Sequence, residues 1–492
     1  MAQSQETPSQ NTPEKAKSND NDQVTRMGSG SIPALIAEFA IPSIAGMLVN
    51  GAYNLISSIF LGQALGELGL ATATAANPTM ILFMALSMLT GMGGNALCAL
   101  RLGEGKHGEA ERVLGNTVFL GLAIWLVVLV IAWCPVTLDV LLTLSSVTPE
   151  VRPYAEQFIH VLSLGFAFQM VGMGVNNFIR TAGAPMRALL TMVIGAVSCT
   201  GFSFLYVMVL GWGVFGSAFA TVCGQAISCA SVLWYFVFTK KSPLKLHGRN
   251  LRPCMPVITK ILQLGLASFC VQFAASVVNV VANYVLATYG ALHPMGAQNA
   301  LASIGVVQRI AMFAVLPVIG VSAAIQPLLG FNYGAHLISR VRTTFKLGVL
   351  TGVVLAASLW VLIMLFPSQL VELFGINDPV LKEFTVFALK VQVLFLPLCG
   401  FQIVGSNYFQ ATGQPLKSTI LSLSRQVIFL IPLLLIMPMV LPDIVPSLTG
   451  LDAVYFATPL ADGLAILVTF VVVLREMGRL SKIERGEVQV VI

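Results

Sequence analysis

The chain has 492 residues, 56% hydrophobic and only 10% charged, with a net charge of +6 and a mean hydropathy of +0.85. An average soluble domain carries about 25% charged residues, so a water-facing surface could not be covered by so few. A soluble enzyme, a nucleic-acid binder and a disordered scaffold are excluded; a polytopic membrane protein remains.

Residues 1–31 are rich in Ser, Gln, Asn, Lys and Asp and poor in large apolar groups, which predicts a disordered tail without a signal-peptide core. Beyond it the apolar runs are long and unbroken. Lipid-facing strands would alternate instead, so the spans are helices of about 20 residues or more. Twelve follow in order, at 33–63, 70–100, 112–134, 153–179, 186–210, 214–238, 257–289, 297–329, 343–366, 383–411, 416–440 and 452–474. Residues 475–492 read as a second tail. The eight cysteines form no Cys-x-x-Cys pair, and most lie within spans, where a free thiol behaves as a small buried apolar group.

An even number of spans places both ends on one side of the membrane. That side holds 22 of the 27 Lys and Arg residues, the other only Arg152 and Lys382, and Arg309, Lys390 and Arg425 fall inside spans. The excess of basic loops assigns both termini to the cytoplasm of a multi-pass inner (plasma) membrane protein.

The chain also repeats itself. Gly105-Lys106-His107 answers Gly334-Ala335-His336 at an offset of 229. Asn177-Phe178 with Gly183, Pro185 and Arg187 answers Asn407-Tyr408 with Gly413, Pro415 and Lys417 at 230. Phe219-Ala220-Thr221 with Gln225 answers Phe456-Ala457-Thr458 with Asp462 at 237. Six spans per repeat give both halves the same orientation. The expected fold is all-α: two six-helix bundles, 32–238 and 257–474, related by a pseudo-two-fold axis along the membrane normal and joined by a cytoplasmic linker at 239–256. Transporters with such halves bind substrate near the bilayer midplane and rock one half against the other.

Three stretches resemble the multidrug and toxic compound extrusion (MATE) family, bacterial multidrug-exporter branch. They are Pro42 with Tyr53-Asn54-Leu55-Ile56-Ser57-Ser58-Ile59-Phe60-Leu61-Gly62, then Gln326-Pro327-Leu328-Leu329-Gly330-Phe331-Asn332-Tyr333-Gly334-Ala335, and Pro459-Leu460-Ala461-Asp462. The resemblance runs over about residues 30–475 and is most specific in the Gln-Pro to Asn-Tyr-Gly-Ala stretch. It implies secondary antiport, in which entering H⁺ or Na⁺ drives export of amphipathic, often cationic compounds. The family's acidic or polar coupling positions fall here on Ser57, Cys199 and Ser203, and those of another branch on Ala275 and Cys399, so its usual carboxylates do not carry over.

The polar residues inside the spans are the remaining candidates. Asn50, Asn54 and Ser57 share one face of the first span, and Gln272, Ser276, Asn279 and Asn283 one face of the seventh. Two readings stay open for these amides: bonds that hold helices together, or a stripe lining a central cleft. Met80, Met84, Met88 and Met92 recur every four residues on the second span, as packing or as an adaptable substrate wall. Asn177 and Asn407, and Arg180 and Gln410, occupy equivalent places and read as braces or gates. Glu156 and His160 form an i, i+4 pair near the outer end of the fourth span. Asp462 is the one carboxylate deep in a span, roughly 18 Å from Arg475, and Arg425 on the neighbouring span is within reach of it. An intramembrane ion is a functional candidate, either as a fixed lock or as a protonatable switch.

The resulting expectation is a monomeric multidrug antiporter in the lipid bilayer. It takes small amphipathic substrates, needs no cofactor or metal beyond the coupling ion H⁺ or Na⁺, performs no covalent chemistry and binds no nucleic acid. The alternative is a flippase or exporter of a lipid-linked or anionic substrate, kept open by three intramembrane bases against one deep acid.

Overall fold

A computed structural model of the chain describes residues 24–144, 150–239, 242–292, 296–376, 378–446 and 448–487. The described residues are helical and contain no strand. A short helix, α1, covers 24–29, and α2 follows as Ile32–Gly103. The N-terminal half continues with α3 (His107–Trp133), α4 (Pro135–Leu144), α5 (Arg152–Thr181), α6 (Pro185–Ser203) and α7 (Gly213–Phe238). The C-terminal half comprises α8 (Met255–Ala291), α9 (Ala297–Gly334), α10 (Ile338–Leu365), α11 (Pro367–Leu373), α12 (Pro379–Gln392), α13 (Leu396–Ala411), α14 (Pro415–Leu423), α15 (Ile431–Ile444) and α16 (Gly450–Glu484).

These helices supply eleven apolar spans among the described residues, and the pair α12–α13, bent by 44°, supplies a twelfth. Two spans lie within α2, at Ile32–Tyr53 and Pro78–Gly103. The segment doubles back between them, since Gly28 and Gly103 both pack against Phe331. The tenth span, expected at 383–411, is broken rather than continuous. Pro397 opens α13 and cannot donate a helical hydrogen bond, so the helix breaks at 393–395.

The duplication is visible in atomic detail. In each half a turn ends on a left-handed glycine, Gly183 (φ 82°) or Gly413 (φ 77°), and a proline, Pro185 or Pro415, starts the next helix. Only glycine adopts that φ without strain, and proline suits a first helical turn whose N–H has no partner. Asn176 Nδ2 donates to Ala188 O at 3.1 Å, and Ser406 Oγ to Ser418 O at 3.3 Å. Both bonds close the same two-helix hairpin 230 residues apart.

Two expected tails are corrected. Residues 24–31 are not disordered: α1 buries Val24 and Met27, which join the main apolar cluster. The last helix does not end near 474 but runs to Glu484, because Glu476 is buried and ion-paired to Lys417 (2.7 Å) and Arg479 (3.3 Å). The linker is also tied down. Asn116 on α3 donates to Asn250 O and Arg252 O and accepts from the Cys254 N–H, while Glu111 accepts from the Lys245 N–H.

The halves meet on the face that carries the basic loops. There α2 lies backbone to backbone against α8 and α9. A Cβ on Gly265 would stand 1.7 Å from Leu89 O, and one on Gly93 2.0 Å from Ile261 O, so only glycine permits this approach. Asn95 is buried in the same contact: its amide donates to Gln326 Oε1 at 3.1 Å and accepts from Thr181 Oγ1 at 2.6 Å. Farther from the basic face the first span still meets α9, where a Cβ on Gly51 would stand 2.7 Å from Leu316 Cδ1, while α8 exposes Asn279, Val280, Asn283 and Tyr284.

Candidate functional site

The polar stripe on α8 lies beyond its close contact with α2 at Gly265. Asn279 and Asn283 are exposed and Gln272 and Ser276 half-buried. None of these four has a hydrogen bond within the described residues. On the first span Asn50 is half-buried. The side chains of Asn54 and Ser57 lie outside the described residues, and so does the expected facing of Asn54 and Asn279.

Met84, Met88 and Met92 are half-buried on the second span in α2. Asn177 reaches Met92 Sδ at 3.5 Å and accepts from Arg180, whose guanidinium also lies 3.4 Å from Met192 Sδ. The equivalent Asn407 donates to Ser322 O and Oγ, both at 2.8 Å, and buried Gln410 donates to Leu264 O at 2.8 Å and Ser268 Oγ at 3.0 Å. Both asparagines span 85 residues to matching places on neighbouring helices, with sulfur in one half and hydroxyl in the other. Glu156 and His160 do not pair. Glu156 binds Arg152 at 3.0 Å, Arg152 also binds Asp139, and His160 stacks on Trp133 with ring centroids 4.7 Å apart.

The deep acid and base meet. Arg425 Nε donates to Asp462 Oδ1 at 2.5 Å, and the Cys399 thiol lies 3.7 Å from Asp462 Oδ2. The Asp462 side chain is 6% exposed and that of Arg425 31%. Local backbone explains the aim of both. Arg425 sits on a wide π turn, Ser424–Leu430, inserted between α14 and α15; such turns rotate the side chains that follow them. Asp462 follows Pro459, which interrupts the helical bonds of α16. One acid oxygen is held by the guanidinium, and the other faces a weak thiol donor. A group in such a place either locks helices or switches them.

Sequence reasoning missed Asn95, Thr181 and Glu476. Asn95 stands alone in a run of small and apolar residues, with no partner at i+3 or i+4, and its partners are 86 and 231 residues away. Glu476 lay beyond the expected end of its helix.

The MatE family model matches residues 42–207 and 267–436, most of both halves. The multidrug export protein MepA of Staphylococcus haemolyticus (strain JCSC1435) is 24% identical over 465 residues, covering 94% of this chain and 97% of that protein. Among solved structures, the MATE multidrug transporter DinF-BH is 35% identical, with a TM-score of 0.81 over 90% of this chain and 96% of its own. An outward-facing multidrug resistance MATE family transporter of the MOP superfamily superposes with a TM-score of 0.84 at 24% identity, over 94% and 98% of the two chains.

Proposed function

The chain belongs to the MatE family, and on that footing we propose that it is a secondary antiporter, exporting amphipathic, often cationic compounds in exchange for H⁺. The observation that carries the coupling is the Asp462–Arg425 pair, a 2.5 Å contact with its acid almost wholly enclosed within the spans. The basic face is taken as cytoplasmic, by the concentration of Lys and Arg in its loops. In this scheme the cleft opens alternately to the two sides of the membrane. The proposed units are the halves 32–238 and 257–474, joined by the docked linker.

The charges account for exchange rather than co-transport. Deprotonated Asp462 and Arg425 together are neutral. A proton on Asp462 adds one positive charge to that space, and so does a cationic substrate in the adjoining cleft. In a water-poor interior two added charges of one sign repel strongly, so each disfavours the other. A proton entering from outside breaks the ion pair, and Arg425 must find another partner, which moves α14–α16 and favours the inward-open form. Substrate arriving from the cytoplasmic side favours proton release. Exchange of one proton for one monovalent cation moves no net charge, so the pH difference drives it, about 1.4 kcal/mol or a tenfold gradient per pH unit. In this scheme Asn50, Gln272, Asn279 and Asn283 line the cleft with Met84 and Met88 as its adaptable wall, and Asn177, Arg180, Asn407 and Gln410 brace its floor. The test is uptake of ethidium into everted vesicles with imposed pH or Na⁺ gradients applied separately. The proton gradient alone should drive accumulation; accumulation driven only by Na⁺ would reject Asp462 as a proton site.

A further inference from the structure

The segment ahead of the first span crosses from one half to the other. Residues 24–31 lead directly into α2 and are tied to it by the Arg26–Glu38 ion pair at 3.1 Å. They therefore travel with the N-terminal half, yet they are docked on the C-terminal half. Met27 is fully buried. A Cβ on Gly28 would lie 3.0 Å from the Phe331 ring and 3.5 Å from Leu337 Cδ1. A short helix ends with carbonyls that have no helical partner and a partial negative charge, which a cation from elsewhere can satisfy. Here Arg340 on α10 does so, its Nη2 donating to Met27 O at 3.1 Å and to Gly30 O at 2.7 Å. Asn332 on α9 adds a bond from Nδ2 to Met27 O at 3.0 Å, and its Oδ1 accepts from Arg340 Nε at 3.0 Å. The same face holds a close approach of the halves, with a Cβ on Gly103 placed 2.1 Å from Phe331 O and one on Gly334 2.2 Å from Leu100 O.

We propose that residues 24–31 are a latch, clasped by Arg340 and Asn332, that holds the basic face closed and must let go each time that face opens. The face cannot open with the latch seated, because Phe331, Asn332 and Arg340 move with one half and Met27 and Gly30 with the other. Burial of Met27 sets the seat, and the carbonyl–guanidinium bonds set the register.

Two experiments test this. In a chain with its native cysteines replaced, spin labels at Lys106→Cys and Arg485→Cys report the separation of the halves on the basic face. Removing residues 1–30, or changing Arg340 to Ala, should raise the long-distance population about tenfold or more, the effect of losing one charge-assisted hydrogen bond. An unchanged distance distribution in the truncated chain would overturn the latch. The second experiment carries its own folding control. Gly28→Cys with Leu337→Cys should form a disulfide on oxidation, and amide exchange in 94–103 and 326–334 should then fall and recover on reduction. Failure to crosslink, or equal exchange in oxidised and reduced protein, would show that the segment does not govern opening.

Discussion

Removing one member of the Asp462–Arg425 pair should cost far more than removing both. The acid is 6% exposed and the base 31%, so the two single changes are unequal as well. Arg425→Leu strands a nearly enclosed carboxylate without its cation, and breaking a buried pair in this way costs about 3–5 kcal/mol. Asp462→Leu leaves a guanidinium that is a third exposed and can hydrate at its open end, so the cost should be nearer 1–2 kcal/mol, the range of one lost hydrogen bond to a charged group. The double change to Leu removes both desolvation penalties and replaces them with packing; buried pairs exchanged for apolar residues are often neutral or gain about 1–4 kcal/mol. Thermal unfolding of the four proteins in one detergent, followed by loss of monodisperse protein, gives the order: the arginine variant lowest, the aspartate variant intermediate, the double variant close to wild type. A double variant as unstable as the sum of the singles would mean that the two side chains do not compensate each other, and the pair would lose its place in the account.

Asn279→Leu should change the ranking of exported compounds while membrane expression persists, read from resistance profiles; equal loss for every compound with poor expression would mean a structural role. Gly265→Ala should hinder closure of the basic face, since its Cβ would fall 1.7 Å from Leu89 O, and should be seen as faster amide exchange in 89–103; unchanged exchange would refute the close contact. In the loop 104–106, burial raises the Glu104 carboxyl but hydrogen bonds from Lys106 and Arg101 pull it further down, below its ordinary value. A depressed acid stabilises above its unfolded value and loses that contribution as pH falls through its folded value, so Glu104→Gln should lower stability by at most about 1 kcal/mol at pH 7 and by progressively less as the pH is lowered below 4.5; a deficit that does not shrink with acid would contradict the ion pairs.

The span pattern was legible because lipid leaves helices little freedom: length and apolarity fix them, and a repeat of six spans fixes how the halves relate. The α12–α13 bend was not, since Pro397 is tolerated in a span and only packing decides whether the helix kinks or parts. Asp462 and Arg425 were legible as a pair because a charge at that depth needs a partner and few were available. The clasp of Arg340 on Met27 O and Gly30 O was not, because backbone carbonyls carry no sequence signal and the partners are more than 300 residues apart. The same holds for Asn95, whose role exists only where α2, α5 and α9 meet. A polar composition at 1–31 reads as disorder, and two buried side chains, Val24 and Met27, were enough to order its last residues.

The central claim is that Asp462 carries the coupling proton, and its most direct measurement is ethidium uptake into everted vesicles under an imposed pH gradient, wild type beside Asp462→Asn. Equilibrium ethidium binding to the purified proteins runs alongside. The account predicts that the variant binds ethidium with affinity within about threefold of wild type, a difference of roughly 0.7 kcal/mol, yet accumulates none above a de-energised control. Uptake by Asp462→Asn at the wild-type rate and to the wild-type level would contradict it and leave the ion pair a structural lock.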